Sequence, residues 1–219
     1  MSRLPSLVLV VAVVGGACLG VAANAPTTAE ASSGRTKACE SKGSRTLRSS
    51  TRAVRIFRKN GKTYGCHYGR GRAYALGDRN GEESADFNEL NFLQVAGAFA
   101  GYERLTTGRL GSLSRSTTIN LRTGRFVRDV YNGGGPSAPV VEVTDLELRR
   151  TGSMAWITQS RDSDVSGPLP IQYEVRAGVR SSSFALLDAG PDLDPRSLVL
   201  EGTTLYWTRA GVRRSAALP

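Results

Sequence analysis

The chain is poor in the side chains that most chemistry needs. Its 219 residues include one histidine, His67, three cysteines and two tryptophans. A Ser–His–Asp arrangement would have to use His67, which stands beside Cys66 in a strand-like run. A zinc centre usually draws on more histidine and cysteine ligands than this. The chain has no Cys-x-x-Cys pair, no Gly-x-Ser-x-Gly elbow and no phosphate loop. Lysine occurs only at positions 37, 42, 59 and 62, so arginine supplies most of the positive charge. Helical periodicity is nearly missing: the best stretch, residues 84–95, lacks a clean 3.6-residue stripe. Long apolar runs are confined to the N-terminus. These absences name no catalytic residue, no cofactor and no metal, and they favour a protein that is not an enzyme.

What is present begins at the N-terminus. Arg3 precedes an apolar run over residues 4–14, then Gly15-Gly16-Ala17-Cys18 and small residues to Ala25. A positive start, a short apolar centre and a small-residue exit are the order of a secretory signal. Residues 1–31 are read as this leader. Cleavage after Ala23 or Ala31, lipidation at Cys18, and retention as an anchor are its three fates. The remainder is expected to work outside the cytoplasm, secreted or tethered to the membrane, with membrane contact only through the leader.

Charge is unevenly placed. Between residues 32 and 76, twelve arginines and lysines stand against one acid, Glu40, while beyond residue 77 the charges nearly cancel. The net +10 therefore sits in the first third. Such a field attracts polyanions, which outside a cell are lipid headgroups, wall polymers and acidic polysaccharides. Arg52, Arg55, Arg58 and Arg72 are the candidate anion-binding residues, and a solvated face with no dedicated partner is the plain alternative. An exported chain without a nucleic-acid motif is not expected to bind nucleic acid. Another envelope protein is the second candidate partner.

With Cys18 in the leader, Cys39 and Cys66 remain. Two cysteines in an exported chain most simply form a disulfide. The bridge would tie a basic, polar tether (residues 32–45) onto a strand near Tyr64-Gly65-Cys66.

Residues 46–219 read as one all-β repeat domain. Val54-Arg55-Ile56-Phe57-Arg58 alternates, Asn60-Gly61 marks a hairpin turn, and the chain returns over residues 63–68 and 72–76. Further strands are expected at 91–95, 98–104, 116–121, 126–131, 145–149, 154–159, 171–176, 184–188, 197–200, 204–209 and 211–216. Gly133-Gly134-Gly135-Pro136 is read as a linker or long loop. Three segments echo one another: residues 93–102, 148–157 and 198–207 each run strand, glycine turn, strand, ending in Tyr102, Trp156-Ile157 and Tyr206-Trp207. Residues 119–127 echo residues 66–74 in the same way. The spacing of roughly 50 residues is that of propeller blades. The Leu-x-x-x-Gly-x-x-x-x-aromatic pattern, followed by Asn120-Leu121-Arg122-Thr123-Gly124, resembles bacterial β-propeller repeats of the WD-repeat or TolB-like kind. It also resembles exported proteins of high-GC bacteria. The resemblance implies a small or partial β-propeller-like domain of antiparallel sheets, as a ring or an open stack; a β-sandwich is the alternative. Tyr102, Trp156 and Trp207 are expected to be blade core, with a sugar-stacking platform as the sharper reading.

Two acidic features remain. Residues 162–167, Asp-Ser-Asp-Val-Ser-Gly, match the opening of a calcium loop, but Tyr173 stands where the closing glutamate belongs. Asp145, Glu147 and Glu174 lie on expected strands, so a carboxylate-dependent carbohydrate-active hydrolase is the alternative function. The leading expectation is an exported, non-catalytic β-repeat module that binds or scaffolds at the cell envelope.

Overall fold

The computed structural model describes residues 39–50, 53–77, 87–109, 111–135, 138–161, 171–178 and 181–218. The leader with Cys18, Arg52 and the calcium-like loop at 162–167 lie outside the described residues. Among those described, no helix is long and apolar enough to cross a membrane.

The fold is all-β. Sheet 1 comprises β1 (Arg45–Ser50), β2 (Val54–Lys59), β3 (Lys62–His67) and β4 (Arg72–Ala75). Sheet 2 comprises β5 (Phe87–Ala96), β6 (Phe99–Gly108), β7 (Gly111–Asn120) and β8 (Arg125–Gly134). Sheet 3 comprises β9 (Val140–Leu148), β10 (Met154–Arg161), β11 (Gln172–Gly178) and β12 (Phe184–Gly190). Sheet 4 comprises β13 (Val199–Glu201), β14 (Thr204–Arg209) and β15 (Val212–Ala217). Every sheet is an antiparallel meander in chain order, because short turns join neighbouring strands. At Asn60-Gly61 both residues have positive φ, 49° and 76°, as a two-residue hairpin whose twist matches its strands requires.

Three core layers stack the sheets in sequence. Val54 and Ile56 of sheet 1 pack against Ala100, Tyr102 and Ile119 of sheet 2. Val130 of sheet 2 packs against Val143, Leu146, Leu148, Met154 and Trp156 of sheet 3. Ala155, Ile157, Val175 and Ala177 of sheet 3 pack against Leu205 and Trp207 of sheet 4. Strand β10 therefore buries both faces, and its side chains alternate between the two layers. Tyr102, Trp156 and Trp207 are at most 4% exposed, one in each layer, so they are core and not a sugar platform. The first strands adjoin one another in turn, β1 with β5, β5 with β9 and β9 with β13. No described strand from one end of the chain completes a sheet at the other.

Two strands go beyond the expected bounds and one local expectation is corrected. The strand expected at 91–95 already starts at Phe87, with Leu90, Leu93 and Val95 packed onto the layer with sheet 1 while the backbone pairs with β6. Ahead of the first expected strand, Arg45–Ser50 forms β1. This polar strand has one apolar residue, Leu47, and is held by pairing with β2. The glycine run read as a linker starts as strand: β8 extends to Gly134, with Gly133 and Gly134 at φ of 146° and 107°. A Cβ on Gly134 would stand 1.9 Å from the Ser112 carbonyl oxygen, so no other residue fits there.

Cys39 and Cys66 are joined by a disulfide, with a Cα–Cα distance of 5.5 Å. The bridge fastens the segment before β1 over the outer face of sheet 1, where Phe57 and Tyr64 stack at 5.5 Å.

Candidate ligand cleft

Of the arginines singled out from the sequence, Arg55, Arg58 and Arg72 are described, and these three do not share one patch. Arg55 points to the outer face. Its guanidinium donates to the Cys39 carbonyl, Thr46 Oγ1 and Ser44 Oγ, and it lies 5.0 Å over the Phe57 ring, so it is a clamp for the docked segment. Arg58 and Arg72 share the opposite face but sit at its two ends. Val54 pairs with His67, which pairs with Arg72, and Arg58 lies four residues along β2, about 13 Å away at strand rise. What does concentrate is charge around the β2–β3 turn. Arg45 stands directly opposite Arg58, with Lys42 exposed nearby and Lys59 Nζ bonded to Ser41 Oγ. Like charges placed opposite one another repel, so this end of sheet 1 carries a locally uncompensated positive field among the described residues.

His67 carries no triad. Burial, with the charges of Arg122 and Arg70, holds its pKa below the usual value, and its Nδ1 is buried without a partner. An arginine-rich surrounding is the reverse of the carboxylate that orients a catalytic imidazole.

A concave feature suited to a ligand lies elsewhere. A cleft of about 620 Å³ runs from sheet 2 across the edge strand β9 to Pro195 and Arg196. Its size falls in the roughly 300–1,000 Å³ range of small-ligand sites. Two irregular edge strands shape it. In β5, Phe92 and Leu93 together oppose the single residue Tyr102, because the register shifts between Asn91 and Gln94. In β9, Thr144 is the extra residue, because Thr158 pairs with Val143 and Ile157 with Asp145. Such bulges re-aim side chains at strand edges, and both bulged segments line the cleft. At the first, Phe92 has φ of 52° and its ring is 39% exposed. A bulky residue in the left-handed region is strained, and strain of this kind gathers at functional sites.

Each sheet contributes one carboxylate–amide couple to the cleft. Asn91 and Glu103 face each other across β5 and β6, with Asn91 Nδ2 donating to Glu103 Oε2 at 3.2 Å. Glu142 and Gln159 face each other across β9 and β10, with Gln159 Nε2 donating to Glu142 Oε2 at 2.9 Å. The two carboxylates differ in role. Glu103 is 1% exposed, and its Oε1 also accepts from Ser114 Oγ at 2.7 Å and from the Val143 backbone N–H at 2.9 Å. It thereby ties sheet 2 to β9. Burial raises its pKa, assisted by the charge of Glu142 and opposed by the three donors. Glu142 Oε1, by contrast, accepts nothing from the described residues, and exposed Glu89 is likewise without a partner among them. Arg161 and Arg196 add two charged donors to the lining.

The acids expected from the sequence fall outside this cleft. Glu174 is paired with Arg176 at 2.6 Å. Asp145 and Glu147 project from β9 into the layer facing sheet 4, where Asp145 accepts from the Leu198 and Leu146 backbone N–H groups. Burial in that layer raises both pKa values. For Glu147 the rise is to about 7, through burial first and the Asp145 charge second. A carboxyl whose folded pKa is raised stabilises the protein fully below its unfolded value near 4.5, and that contribution is lost as pH climbs towards 7. Glu147→Gln is therefore expected to leave stability unchanged at pH 4.5 and to raise it at pH 8. Solvent screening of this half-buried group limits the gain to about 1–2 kcal/mol. Thermal unfolding at the two pH values checks this, and an equal effect at both would contradict it.

Sequence reasoning missed Asn91, Phe92, Glu103, Glu142 and Gln159. The signal was slight: Asn91-Phe92 breaks alternation inside a strand, but nothing in the chain aligns Glu103 with Asn91 until β5 and β6 pair. Among the described residues, no group of three or more His, Cys, Asp or Glu could hold a metal ion. Compared with protein-family models, curated proteins and solved structures, the chain matches none.

Proposed function

We propose that the protein is an extracytoplasmic, non-catalytic β-repeat module that binds a component of the cell envelope, with the cleft at β5 and β9 as its ligand site. The observation that carries this reading is the convergence of two bulged edge strands on one polar cleft, each bringing a carboxylate–amide couple. The sheets are read as blades of a partial β-propeller, supported by the succession of adjoining first strands β1, β5, β9 and β13. Binding is favoured over hydrolysis because Glu103 is held by three donors and nearly sealed from solvent. A carboxyl so fixed is a poor partner in the two-acid chemistry of glycoside cleavage.

The test is co-sedimentation of the secreted chain with purified cell-envelope fragments. The Phe92→Ala/Glu142→Gln double variant is expected to bind at least ten times more weakly, a change of about 1.4 kcal/mol. Equal sedimentation of variant and parent would contradict the assignment.

The basic turn of sheet 1 supports a second contact, with anionic envelope polymer. Its observation is the juxtaposition of Arg45 and Arg58, without acidic partners among the described residues, beside Lys42. Arg45→Ser/Arg58→Ser is expected to elute from a heparin column at lower salt, since exposed charge–charge attraction is screened over about 10 Å at 0.1 M salt. Unchanged elution would remove this contact.

A further inference from the structure

We infer that the cleft binds an oligosaccharide, recognised through its hydroxyl groups by Glu142, Gln159 and Asn91, the last oriented by buried Glu103, and through one pyranose face by Phe92. The inference rests on the cleft being the ligand site and names the chemistry of what fills it.

A sugar hydroxyl both donates and accepts, so a site for sugars needs donors and acceptors side by side. The two couples supply this alternation. Gln159 uses one amide hydrogen on Glu142, so among the described residues its second hydrogen and its Oε1 are left for a ligand, as is Glu142 Oε1 as an acceptor. Asn91 is oriented in the same way by Glu103, so its amide is not free to swing. Pre-oriented polar groups cost less ordering entropy on binding than mobile ones. Arg161, two residues beyond Gln159 on β10, and Arg196 offer planar, charged donors in the same lining.

The apolar half of the site is Phe92. The bulge holds its ring at the cleft in a strained conformation instead of letting it join the core layer beside Leu90, Leu93 and Val95. A pyranose presents axial C–H bonds on one face, and an exposed aromatic ring is the surface that buries them. The polar character of the remaining lining argues against a wholly apolar ligand. A bare cation would want carboxylates gathered round one point. Here Glu103 is already occupied by three donors, and no metal-holding group of acids exists among the described residues.

The experiment is calorimetric titration of the full secreted chain with four tetrasaccharides: β-1,4-linked glucose, β-1,4-linked N-acetylglucosamine, its deacetylated amine form, and α-1,4-linked glucose. At least one is expected to bind in the millimolar range or tighter. Phe92→Ala and Glu142→Gln should each weaken it ten-fold or more, and Phe92→Tyr should restore most of the affinity. Strongest binding by the amine form, lost in Glu142→Gln alone, would replace hydroxyl recognition with amine recognition and overturn the inference. So would the absence of binding to all four at 10 mM, or binding unchanged in both variants. If envelope co-sedimentation still depends on Phe92 and Glu142 while no sugar binds, the cleft stands as the ligand site and only the saccharide assignment falls.

Discussion

Cys39→Ser lowers the unfolding midpoint by about 10 °C, and adding a reductant to the parent protein has the same effect. The bridge spans a sequence separation of 27 residues. Closing a loop of that length removes about 3–4 kcal/mol of chain entropy from the unfolded state. For a domain of this size each kcal/mol shifts the midpoint by roughly 2–4 °C. The loss should be local in its first steps. Without the bridge, the Cys39 carbonyl, Ser41 and Ser44 lose their hold on Arg55 and Lys59, and the Phe57–Tyr64 stack opens to water. Amide exchange should therefore rise first in β1 to β4 while β9 to β12 stay protected. A reduced protein with an unchanged midpoint would show that the docked segment is held by its hydrogen bonds alone.

Glu103→Ala is expected to destabilise by about 3 kcal/mol and also to weaken whatever the proposed cleft binds. The carboxylate is the acceptor for Ser114 Oγ, Asn91 Nδ2 and the Val143 backbone N–H. Removing it leaves buried donors without partners, each costing about 1–3 kcal/mol unless water enters from the cleft. The Val143 bond is the direct polar tie between sheet 2 and β9, so its loss also lets β9 shift and misplaces Glu142. Glu103→Gln separates the two effects. It keeps the shape and an acceptor for Val143, and because burial already favours the protonated carboxyl, it should cost less than alanine at every pH. Chemical denaturation of both variants checks the ranking. A Glu103→Ala protein as stable as the parent would mean that water replaces the carboxylate fully.

The all-β, antiparallel character was readable because its determinants are local. Asn60-Gly61 announced its hairpin, and Gly97, Gly152 and Gly202, the turn glycines of the three similar segments, all adopt the positive φ that such turns need. Tyr102, Trp156 and Trp207 were recognisable as core by size and alternation. β1 was not readable, since Arg-Thr-Leu-Arg-Ser-Ser becomes a strand only through its partner β2. The cleft was still less accessible. Its couples depend on register, and a shift of one residue in either hairpin would place Asn91 or Gln159 on the other face of its sheet. The bulges that produce the register at Phe92 and Thr144 leave no composition signal. The described arginine candidates are kept apart by the same kind of geometry: alternation along β2 sends Arg55 and Arg58 to opposite faces.

The most direct measurement is side-chain amide NMR of Asn91 and Gln159 while solubilised cell-wall glycan fragments are added. If the cleft is the ligand site, these two NH₂ groups shift together and saturably, and amides at the 59–62 turn stay still in high salt. Shifts confined to the turn, with Asn91 and Gln159 silent, would contradict the cleft as the ligand site.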